Sequence, residues 1–252
     1  ERLSKYGMDV CYSPEFIAQG DIINGLEYSD IVLIGSSSDK ASEVLMKLYT
    51  KLMDIEPEFK FMSNIAAEIT KISINCFLTT KISFANMIGQ ICTESGISDE
   101  ISRVLNALGG DSRIGNKYLK YGFGFGGPCL PRDNRALGKH MDKIGLKVNI
   151  PDEVDKFNEE HNKFLNNKFK NLNTENKPFI FKSVSYKKGI DIISESQQLK
   201  LAVSLLEDNF KVHINDNEKI INLIKGDLKN KFKDNITFSS NNKLPDGIIV
   251  NL

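Results

Sequence analysis

The spacing of apolar positions changes several times along the chain, and these changes predict an α/β fold with one unusually long helix. Short apolar runs at residues 8–12 and 31–35, bounded by turn-forming residues, have the length of buried strands. Residues 39–53 then show helical spacing. Residues 61–95 contain no proline, and apolar side chains recur there at the helical period for roughly nine turns. Since its polar faces are thin, we expect this helix to pack on two sides, as a dimer interface or a spine between domains does.

The remaining pattern predicts further helices and then a parallel sheet. Helical segments are predicted at residues 99–108, 134–144 and 151–169. After them, strand-like runs at 179–184, 211–214 and 247–250 alternate with helical segments at 195–206 and 217–224, which is typical of a parallel α/β layer. Asn and Lys are frequent at 158–177 and 229–243, and we expect those stretches to be solvated.

Composition and charge narrow the possible functions. Lys plus Arg and Asp plus Glu are equal, 33 each, so no global basic field is available to hold nucleic acid. The longest apolar runs are far too short to span a bilayer, which predicts a protein without a membrane segment. Four cysteines, at positions 11, 76, 92 and 129, are widely spaced and do not cluster with the three histidines. We therefore expect reduced thiols in a cytoplasmic protein and no metal site.

Residues 109–133 form a glycine-rich segment that contains the strongest candidate for chemistry, Cys129. Pro128 and Pro131 fix the backbone around this cysteine, and the glycines before it allow a substrate to approach. A thiolate adds readily to a carbonyl carbon, and a cation such as Arg132 favours the thiolate. Asp133 is near enough in sequence to accept a proton or orient a water. A buried cysteine in a tight turn is the alternative, but the flanking glycines, prolines and charges favour a reactive thiol.

Four segments of the chain resemble one enzyme family in their order and spacing. Residues 124–133, GFGGPCLPRD, are similar to the GFGGxCxPKD signature of the UDP-glucose and GDP-mannose dehydrogenases. Residues 13–17, 68–75 and 186–196 resemble three further segments of that family, so the resemblance covers nearly the whole chain. It implies the end of an N-terminal Rossmann-like, NAD-binding domain at residues 1–55. A central long-helix dimerisation domain with the cysteine loop would follow at 56–150, and a C-terminal Rossmann-like, UDP-sugar-binding domain at 151–252.

The resemblance also implies an activity and a set of residue roles. The family oxidises C6 of a nucleotide-linked hexose to a carboxylate with two NAD, and UDP-glucose is its default substrate; UDP-N-acetylhexosamines and GDP-mannose stay open. Cys129 would attack the C6 aldehyde and carry a thioester, which water hydrolyses. Lys71 and Asn75, four residues apart and so on one helix face, would stabilise the oxyanion and hold the water. Asp133 and Glu15 would assist as acid, base or water-positioning groups. For Lys71 and Asn75, the alternative is a solvated stripe on the helix. For Glu15, the alternative is a loop carboxylate that caps a helix.

Other residues are expected to bind the substrate or the cofactor. The glycine run at residues 121–127 would wrap the sugar and the uridine with backbone donors; a structural hairpin is the alternative. Arg113 and Lys120 would supply positive charge for the diphosphate, and Arg113 would reach the neighbouring subunit of a homodimer or higher homo-oligomer. For these two, an exposed pair of basic residues is the alternative. The expected cofactor contacts are Cys129 and Arg132. The expected substrate-binding residues are Phe16, Ile17, Gln19, Arg113, Lys120, Tyr121, Gly122, Phe123, Gly124, Phe125, Gly126, Tyr186 and Lys187.

Departures from the family pattern leave a second hypothesis open. Residues 122–127 have GxGxxG spacing but lack the preceding strand and clean helix start of a dinucleotide-binding turn. The NAD-binding turn is therefore expected upstream of residue 1. Ser194 replaces an arginine that meets the cofactor in the family. The alternative is a truncated, non-catalytic nucleotide-sugar-binding or dimerisation module. Retention of the nucleophile and of its three proposed partners at the expected spacings favours the enzyme.

Overall fold

The structure is a computed structural model that describes residues 4–17, 19–147, 149–241 and 244–252. The chain forms two compact units, Glu1–Ile74 and Asn75–Leu252. The predicted α/β class is confirmed, because both units contain parallel strands with helices between them. The three-part division predicted from the sequence stays a prediction. Among the described residues, no helix has the length and apolar character needed to cross a membrane.

The first unit contains a two-stranded parallel sheet. Its elements are a 3-10 turn (Ser4–Tyr6), α1 (Ile22–Glu27), β1 (Ile31–Gly35), α2 (Asp39–Leu52), β2 (Glu58–Met62) and the start of α3 (Asn64–Glu94). In the sheet, Ile31 lies opposite Glu58 and Gly35 lies opposite Met62. The buried side chains of β1 pack with Met53 and with residues of α2. The predictions of a strand at 31–35 and a helix at 39–53 are confirmed.

The strand predicted at residues 8–12 is wrong. Only Tyr12 pairs in this segment, through an isolated antiparallel bridge to Gly35. The side chain of Asn64 satisfies much of the remaining backbone: its amide donates to the carbonyl of Val10 at 3.0 Å, and its oxygen accepts from the Tyr12 N–H at 3.2 Å. Pro14, two residues further on, has no N–H to continue a ladder. This segment is therefore held in part by side-chain hydrogen bonds and does not become a strand.

The second unit is built from helices and a four-stranded sheet. It contains the rest of α3, α4 (Ile101–Gly110), α5 (Leu130–Lys143), α6 (Ile150–Leu172), α7 (Gln197–Glu207) and α8 (Glu218–Phe232). The predicted long helix is confirmed, since α3 has 31 residues. It ends just before Gly96, whose φ of +77° is the left-handed conformation that commonly stops a helix. Helix α5 begins four residues earlier than predicted, because Pro131 fits the first turn rather than preventing it.

The sheet of the second unit is entirely parallel. Its strands are β3 (Phe179–Phe181), β4 (Val212–Asn215), β5 (Ile236–Ser239) and β6 (Ile248–Ile249), in the order β5-β4-β3-β6. Fully buried apolar side chains from β3, β4 and β5 pack with α6, α7 and α8 in the largest core cluster. The predicted parallel α/β layer is confirmed. The pattern did not predict β5, or α1 and β2 of the first unit.

The prediction that residues 158–177 are solvated is wrong for four of the seven asparagines in that range. Asn158, Asn162, Asn166 and Asn173 are buried. Three of them recur at helical spacing on the same stripe of α6 as Leu165, which is completely buried. Each of the four side chains donates a hydrogen bond inside the fold, which offsets part of the cost of removing it from water, although the Asn166 oxygen has no partner.

Candidate active site

Cys129 lies at the N-terminal cap position of α5 and is partly exposed. The first turn of the helix closes on this residue, since the Asp133 N–H donates to the Cys129 carbonyl at 2.9 Å. The unpaired N–H groups and the dipole of a helix N-terminus favour a negatively charged group there. Cys129 therefore lies at the end of α5 whose unpaired N–H groups can stabilise an oxyanion.

One turn into α5, the carboxylate of Asp133 is held by two donors. The Asn75 amide donates to Oδ2 at 2.6 Å, and Arg132 donates to Oδ1 from Nε at 2.9 Å and from Nη2 at 2.8 Å. Hydrogen bonding and charge from Asp133 raise the pKa of the Arg132 guanidinium. Asp133 is only 5% exposed, so a carboxylate there depends on these partners. The structure thus brings Asn75 of α3 into contact with Asp133, which Arg132 also binds, in the first turn of α5.

Tyr186 covers the turn that precedes the cysteine. Gly127 has a φ of +82°, and a Cβ at this position would lie 2.6 Å from the Tyr186 ring. Burial, and then the electrostatic interaction with the neighbouring Cys129 side chain, raise the pKa of the Tyr186 hydroxyl. A glycine is required here both by the left-handed backbone and by the close approach of the ring. Lys187 follows as an exposed side chain.

Buried side chains from two helices hold the glycine run. The Gly122 N–H donates to Asn86 of α3 at 3.0 Å, and the Phe125 N–H donates to Asn158 of α6 at 2.9 Å. Asn158 also donates back to the Phe125 carbonyl at 3.0 Å. The run was predicted to donate backbone hydrogen bonds to the sugar and uridine. Only N–H groups that do not already donate within the protein can serve that role. Residues 122, 125 and 127 use theirs internally, the last by donating to the Ser194 carbonyl.

His161 of α6 makes the third contact to the run. Its Nε2 lies 2.8 Å from the Gly122 carbonyl, and its Nδ1 lies 2.8 Å from the Gln90 amide. Because a carbonyl only accepts, Nε2 carries the proton and Nδ1 accepts from Gln90, which assigns a neutral ring. Burial lowers the pKa of this histidine, and the rings of Phe157 and Phe164 stack on either side.

The aromatic residues of the run differ in their surroundings. The Tyr121 ring packs flat against α3 at Gly89, where a Cβ would overlap it, and Lys168 lies 5.4 Å from the ring centre. Phe125 is buried in the interior. Phe123 lines a cavity, described below. A Cβ at Gly124 would overlap Asn158. The packing that fixes the run therefore uses Tyr121 and Phe125, while Phe123 faces a space that a ligand can enter.

The first unit brings together a different set of predicted residues. The Lys71 ammonium donates to the backbone carbonyl of Glu15 at 2.6 Å and lies 4.6 Å from the centre of the Phe16 ring. The Glu15 side chain is exposed. Ile17 is partly buried in the same loop, and Gln19 follows in a turn. Lys71 is therefore oriented by the segment that carries Glu15.

Two basic residues predicted to contact a diphosphate lie on the surface of the second unit. Arg113 is 86% exposed and forms a two-pronged ion pair with Asp111, with contacts of 3.0 and 2.6 Å. Lys81 of α3 donates to the backbone carbonyls of residues 114 and 115, which ties this turn to the long helix. Lys120 is also exposed.

A cavity of about 440 Å³ lies at the carboxyl ends of β3, β4 and β6. In parallel α/β sheets this is the edge at which ligands bind. Its polar lining suits an anionic ligand with hydroxyl groups and was not predicted from the sequence. The residues that line it include Phe123, Lys182, Ser183, Ser185, Lys188, Asp216 and Asn217. Within the described ranges, no group of three or more His, Cys, Asp or Glu side chains is placed to hold a metal ion.

Comparison with known proteins gives one consistent result. Residues 65–160 match the central domain of the UDP-glucose/GDP-mannose dehydrogenase family. The chain is 29% identical over 221 residues to UDP-glucose 6-dehydrogenase of Pseudomonas aeruginosa, covering 85% of this chain and 48% of that protein. It is 38% identical over 156 residues to UDP-glucose 6-dehydrogenase of Bacillus subtilis, covering 62% of this chain and 32% of that protein.

A solved structure agrees with these matches. The UDP-glucose dehydrogenase of Pyrobaculum islandicum superposes with a TM-score of 0.81 at 27% identity, over 92% of this chain and 52% of that one. The chain spans about half the length of the curated relatives it matches. The order of the motifs, the parallel sheets and the long helix agree with these matches. The chain contains, at residues 65–160, the central domain of the UDP-glucose/GDP-mannose dehydrogenase family.

Proposed function

We propose that this protein is an NAD-dependent nucleotide-sugar 6-dehydrogenase and that it oxidises UDP-glucose at C6 to UDP-glucuronate. The observation that carries the proposal is the position of Cys129 at the start of α5, with Asp133 one turn further on and bonded to Asn75. Relatives that bear the name UDP-glucose 6-dehydrogenase support the choice of substrate.

In this proposal the Cys129 sulfur adds to the C6 aldehyde of the half-oxidised sugar. Carbon–sulfur bond formation turns the carbonyl oxygen into an oxyanion, which needs a positive potential close to it. Loss of a hydride from that adduct leaves a thioester, and attack by water on the thioester carbonyl releases the carboxylate and the thiol. Asp133, oriented by Asn75 and Arg132, accepts a proton from the attacking water.

Lys71 and Glu15 complete the proposed catalytic set. Lys71 supplies the charge that stabilises the oxyanion, and its hydrogen bond to the Glu15 carbonyl limits the directions in which the ammonium can point. The exposed Glu15 carboxylate acts as an acid, base or water-positioning group. Asn75 lies one helical turn beyond Lys71 on α3, so both donors belong to one element.

The nucleotide part of the substrate is proposed to bind the second unit. The cavity at the carboxyl ends of the parallel strands provides two lysines and several hydroxyl groups, which suit a diphosphate and a ribose. Tyr186 and Lys187 follow β3 on this side of the sheet and, with the free N–H groups of the glycine run, hold the sugar end. Phe16, Ile17 and Gln19 are proposed to border the sugar from their own loop.

NAD is the proposed oxidant, and when bound it accepts the hydride removed from C6 in each of the two oxidations. The first unit has features that suit a nucleotide: a cavity of about 470 Å³ beyond the carboxyl ends of β1 and β2, lined by Ser36, Asp39 and Ser42. These groups would bond ribose hydroxyls. Cys129 and Arg132 are proposed to meet the reactive end of the cofactor.

We further propose that the protein is a homodimer or a higher homo-oligomer that works in the cytoplasm. Phe77, Phe84 and Ile91 recur every seven residues on α3 and are 65%, 45% and 53% exposed. An apolar helical stripe of this length suits the same stripe of a second copy. Arg113 is proposed to reach the neighbouring copy's substrate. The four cysteines are free thiols, which agrees with a reducing compartment.

The proposal is tested by measuring NADH formation by the native gene product with a panel of nucleotide sugars. We expect about two NADH per UDP-glucose, and little product with GDP-mannose. Cys129→Ser should lose steady formation of the acid by a factor on the order of 10³ or more, because the nucleophile is removed. Wild-type rates in Cys129→Ser would remove the nucleophile assignment. A protein that binds UDP-glucose without forming NADH would instead favour the non-catalytic binding module.

A further inference from the structure

Glu195 occupies an unusual position next to the cysteine turn. Its backbone has a φ of 52°, in the left-handed region that few residues with a side chain adopt. Its carboxylate accepts from Arg135 at 2.9 Å and from Lys200 at 2.9 Å. Hydrogen bonds from Arg135, and then from Lys200, lower the pKa of this carboxyl to about 2. The side chain is therefore ionised and held from two helices while its backbone is strained.

The backbone at Glu195 packs against the glycines that precede Cys129. A Cβ at Gly126 would overlap the Glu195 carbonyl oxygen, so the two backbones are in direct contact. The Gly127 N–H donates to the Ser194 carbonyl at 3.0 Å. Both glycines are buried. The positions of the Ser194 and Glu195 carbonyls thus set the position of the turn.

Glu195 is linked by its ion pair with Arg135 to α5, the helix that Cys129 caps. Arg135 lies in α5, in the second turn after the cysteine, and Asp155 of α6 holds the same guanidinium at 2.9 Å. These contacts form a closed ring. It runs from Cys129 along α5 to Arg135, through the ion pair to Glu195, and from the Glu195 carbonyl to Gly126, which precedes Cys129 in the chain. Covalent bonds, one ion pair and one backbone contact form this ring, so moving any part of it displaces the residue that carries the sulfur.

We propose that Glu195 is a positioning residue for Cys129: its ion pair with Arg135 holds Glu195 in the left-handed conformation, and so holds the Ser194 and Glu195 carbonyls against the glycine turn. An ion pair whose side chains are 44% and 28% exposed contributes little to stability by itself. Its effect here is geometric, because Arg135 and Lys200 together fix where the Glu195 carboxylate lies. The inference deepens the proposed function, on which its catalytic consequence rests, but the positioning itself is measurable without any substrate.

Amide hydrogen exchange of the native protein tests the positioning directly. The variant is Glu195→Gln, which keeps the shape of the side chain and removes its charge. The matched control is Glu160→Gln on α6, which loses an ion pair with Lys163 that is exposed on both sides. We expect exchange in residues 122–130 to quicken by about tenfold or more in Glu195→Gln and to stay within about twofold of wild type in the control. Unchanged protection of the turn in Glu195→Gln would overturn the proposal.

A double variant tests whether Glu195 acts through Arg135. If both side chains belong to one ring, Arg135→Gln combined with Glu195→Gln should exchange at the turn no more than about threefold faster than Glu195→Gln alone. Independent, multiplying effects would show two separate routes and would also count against the proposal.

The kinetic consequence is a selective loss of kcat. Because Glu195 does not contact substrate in this account, Glu195→Gln should lower kcat for acid formation by roughly tenfold or more, with KM for the nucleotide sugar within about threefold. A normal kcat in a variant with a loosened turn would refute the catalytic consequence. If the wild-type protein forms no NADH with any nucleotide sugar, the proposed function fails, and the exchange measurement still decides the role of Glu195.

Discussion

The contact between Asn158 and the glycine run gives a prediction whose size follows from the structure. Asn158 is 4% exposed, and its amide both accepts from and donates to the backbone of Phe125, at 2.9 and 3.0 Å. Phe125 is itself buried. In Asn158→Ala, a buried N–H and a buried carbonyl therefore lose their partner together.

The expected loss of stability is about 2–4 kcal/mol. Each unsatisfied buried group costs roughly 1–3 kcal/mol, which gives about 2–6 kcal/mol for the two. A water that enters the vacated space replaces part of the lost bonding, so the lower half of this range applies. Asn167→Ala is the matched control, since Asn167 lies on the same helix and is exposed. The control should stay within about 0.5 kcal/mol of wild type or be slightly more stable, because alanine favours helix.

The assay is urea unfolding followed by far-UV circular dichroism, since the chain has no tryptophan to report by fluorescence. Exchange of the Phe125 amide measures the same contact locally. We expect Asn158→Ala to lower the urea midpoint and to expose the Phe125 N–H, and Asn167→Ala to do neither. If the two variants unfold within about 0.5 kcal/mol of each other, the glycine run is not held by Asn158 as described.

Three further predictions concern the turn, the buried histidine and the long helix. Gly126→Ala should destabilise the protein by about 1–3 kcal/mol, because the new Cβ overlaps the Glu195 carbonyl. The control Gly226→Ala, in an open position inside α8, should stabilise the protein by roughly 0.5–1 kcal/mol. Thermal unfolding distinguishes the two variants. The pKa of His161 is lowered by burial, so its contribution to stability is complete above its ordinary pKa of 6.5 and falls as pH drops below that value. Between pH 6.5 and the folded-state pKa of His161, His161→Gln should therefore lose less stability than the wild type as the pH falls. An unchanged slope of stability against pH would contradict the buried neutral ring. Phe84→Glu, placed in the exposed stripe of α3, should shift sedimentation toward the monomer, and undiminished association would place the interface elsewhere.

The sequence predicted elements well where one period persisted. The long helix α3 and the parallel layer after residue 179 follow from spacing that holds for many residues. Strand β2 was not predicted because its alternating Glu, Phe and Lys residues leave it largely exposed, without a continuous apolar run. The apolar run at 8–12 failed for the opposite reason, since a single side chain, Asn64, supplies the hydrogen bonds that a strand partner would have made.

The sequence predicted the reactive residues of the candidate site but not the buried residues that hold them in place. Cys129, Asp133 and Asn75 are recognisable from residue type and spacing. In the structure Cys129 and Asp133 lie at the start of α5, and Asn75 of α3 bonds to Asp133. Asn158 and His161 were missed, although a signal existed: they lie at apolar positions of an amphipathic helix, where a polar residue requires a partner. Which backbone group that partner is depends on tertiary packing, which spacing along the chain does not encode.

The central claim is that Cys129 carries the sugar covalently during the second oxidation. Rapid acid quenching of the native gene product during turnover of UDP-glucose and NAD, followed by peptide mass spectrometry, tests it most directly. The account predicts that the peptide containing Cys129 gains the mass of the nucleotide-linked acyl group, that hydroxylamine removes this group, and that Cys129→Ser never acquires it. Steady formation of UDP-glucuronate in a Cys129→Ser variant, with no adduct on the wild-type cysteine, would contradict the account.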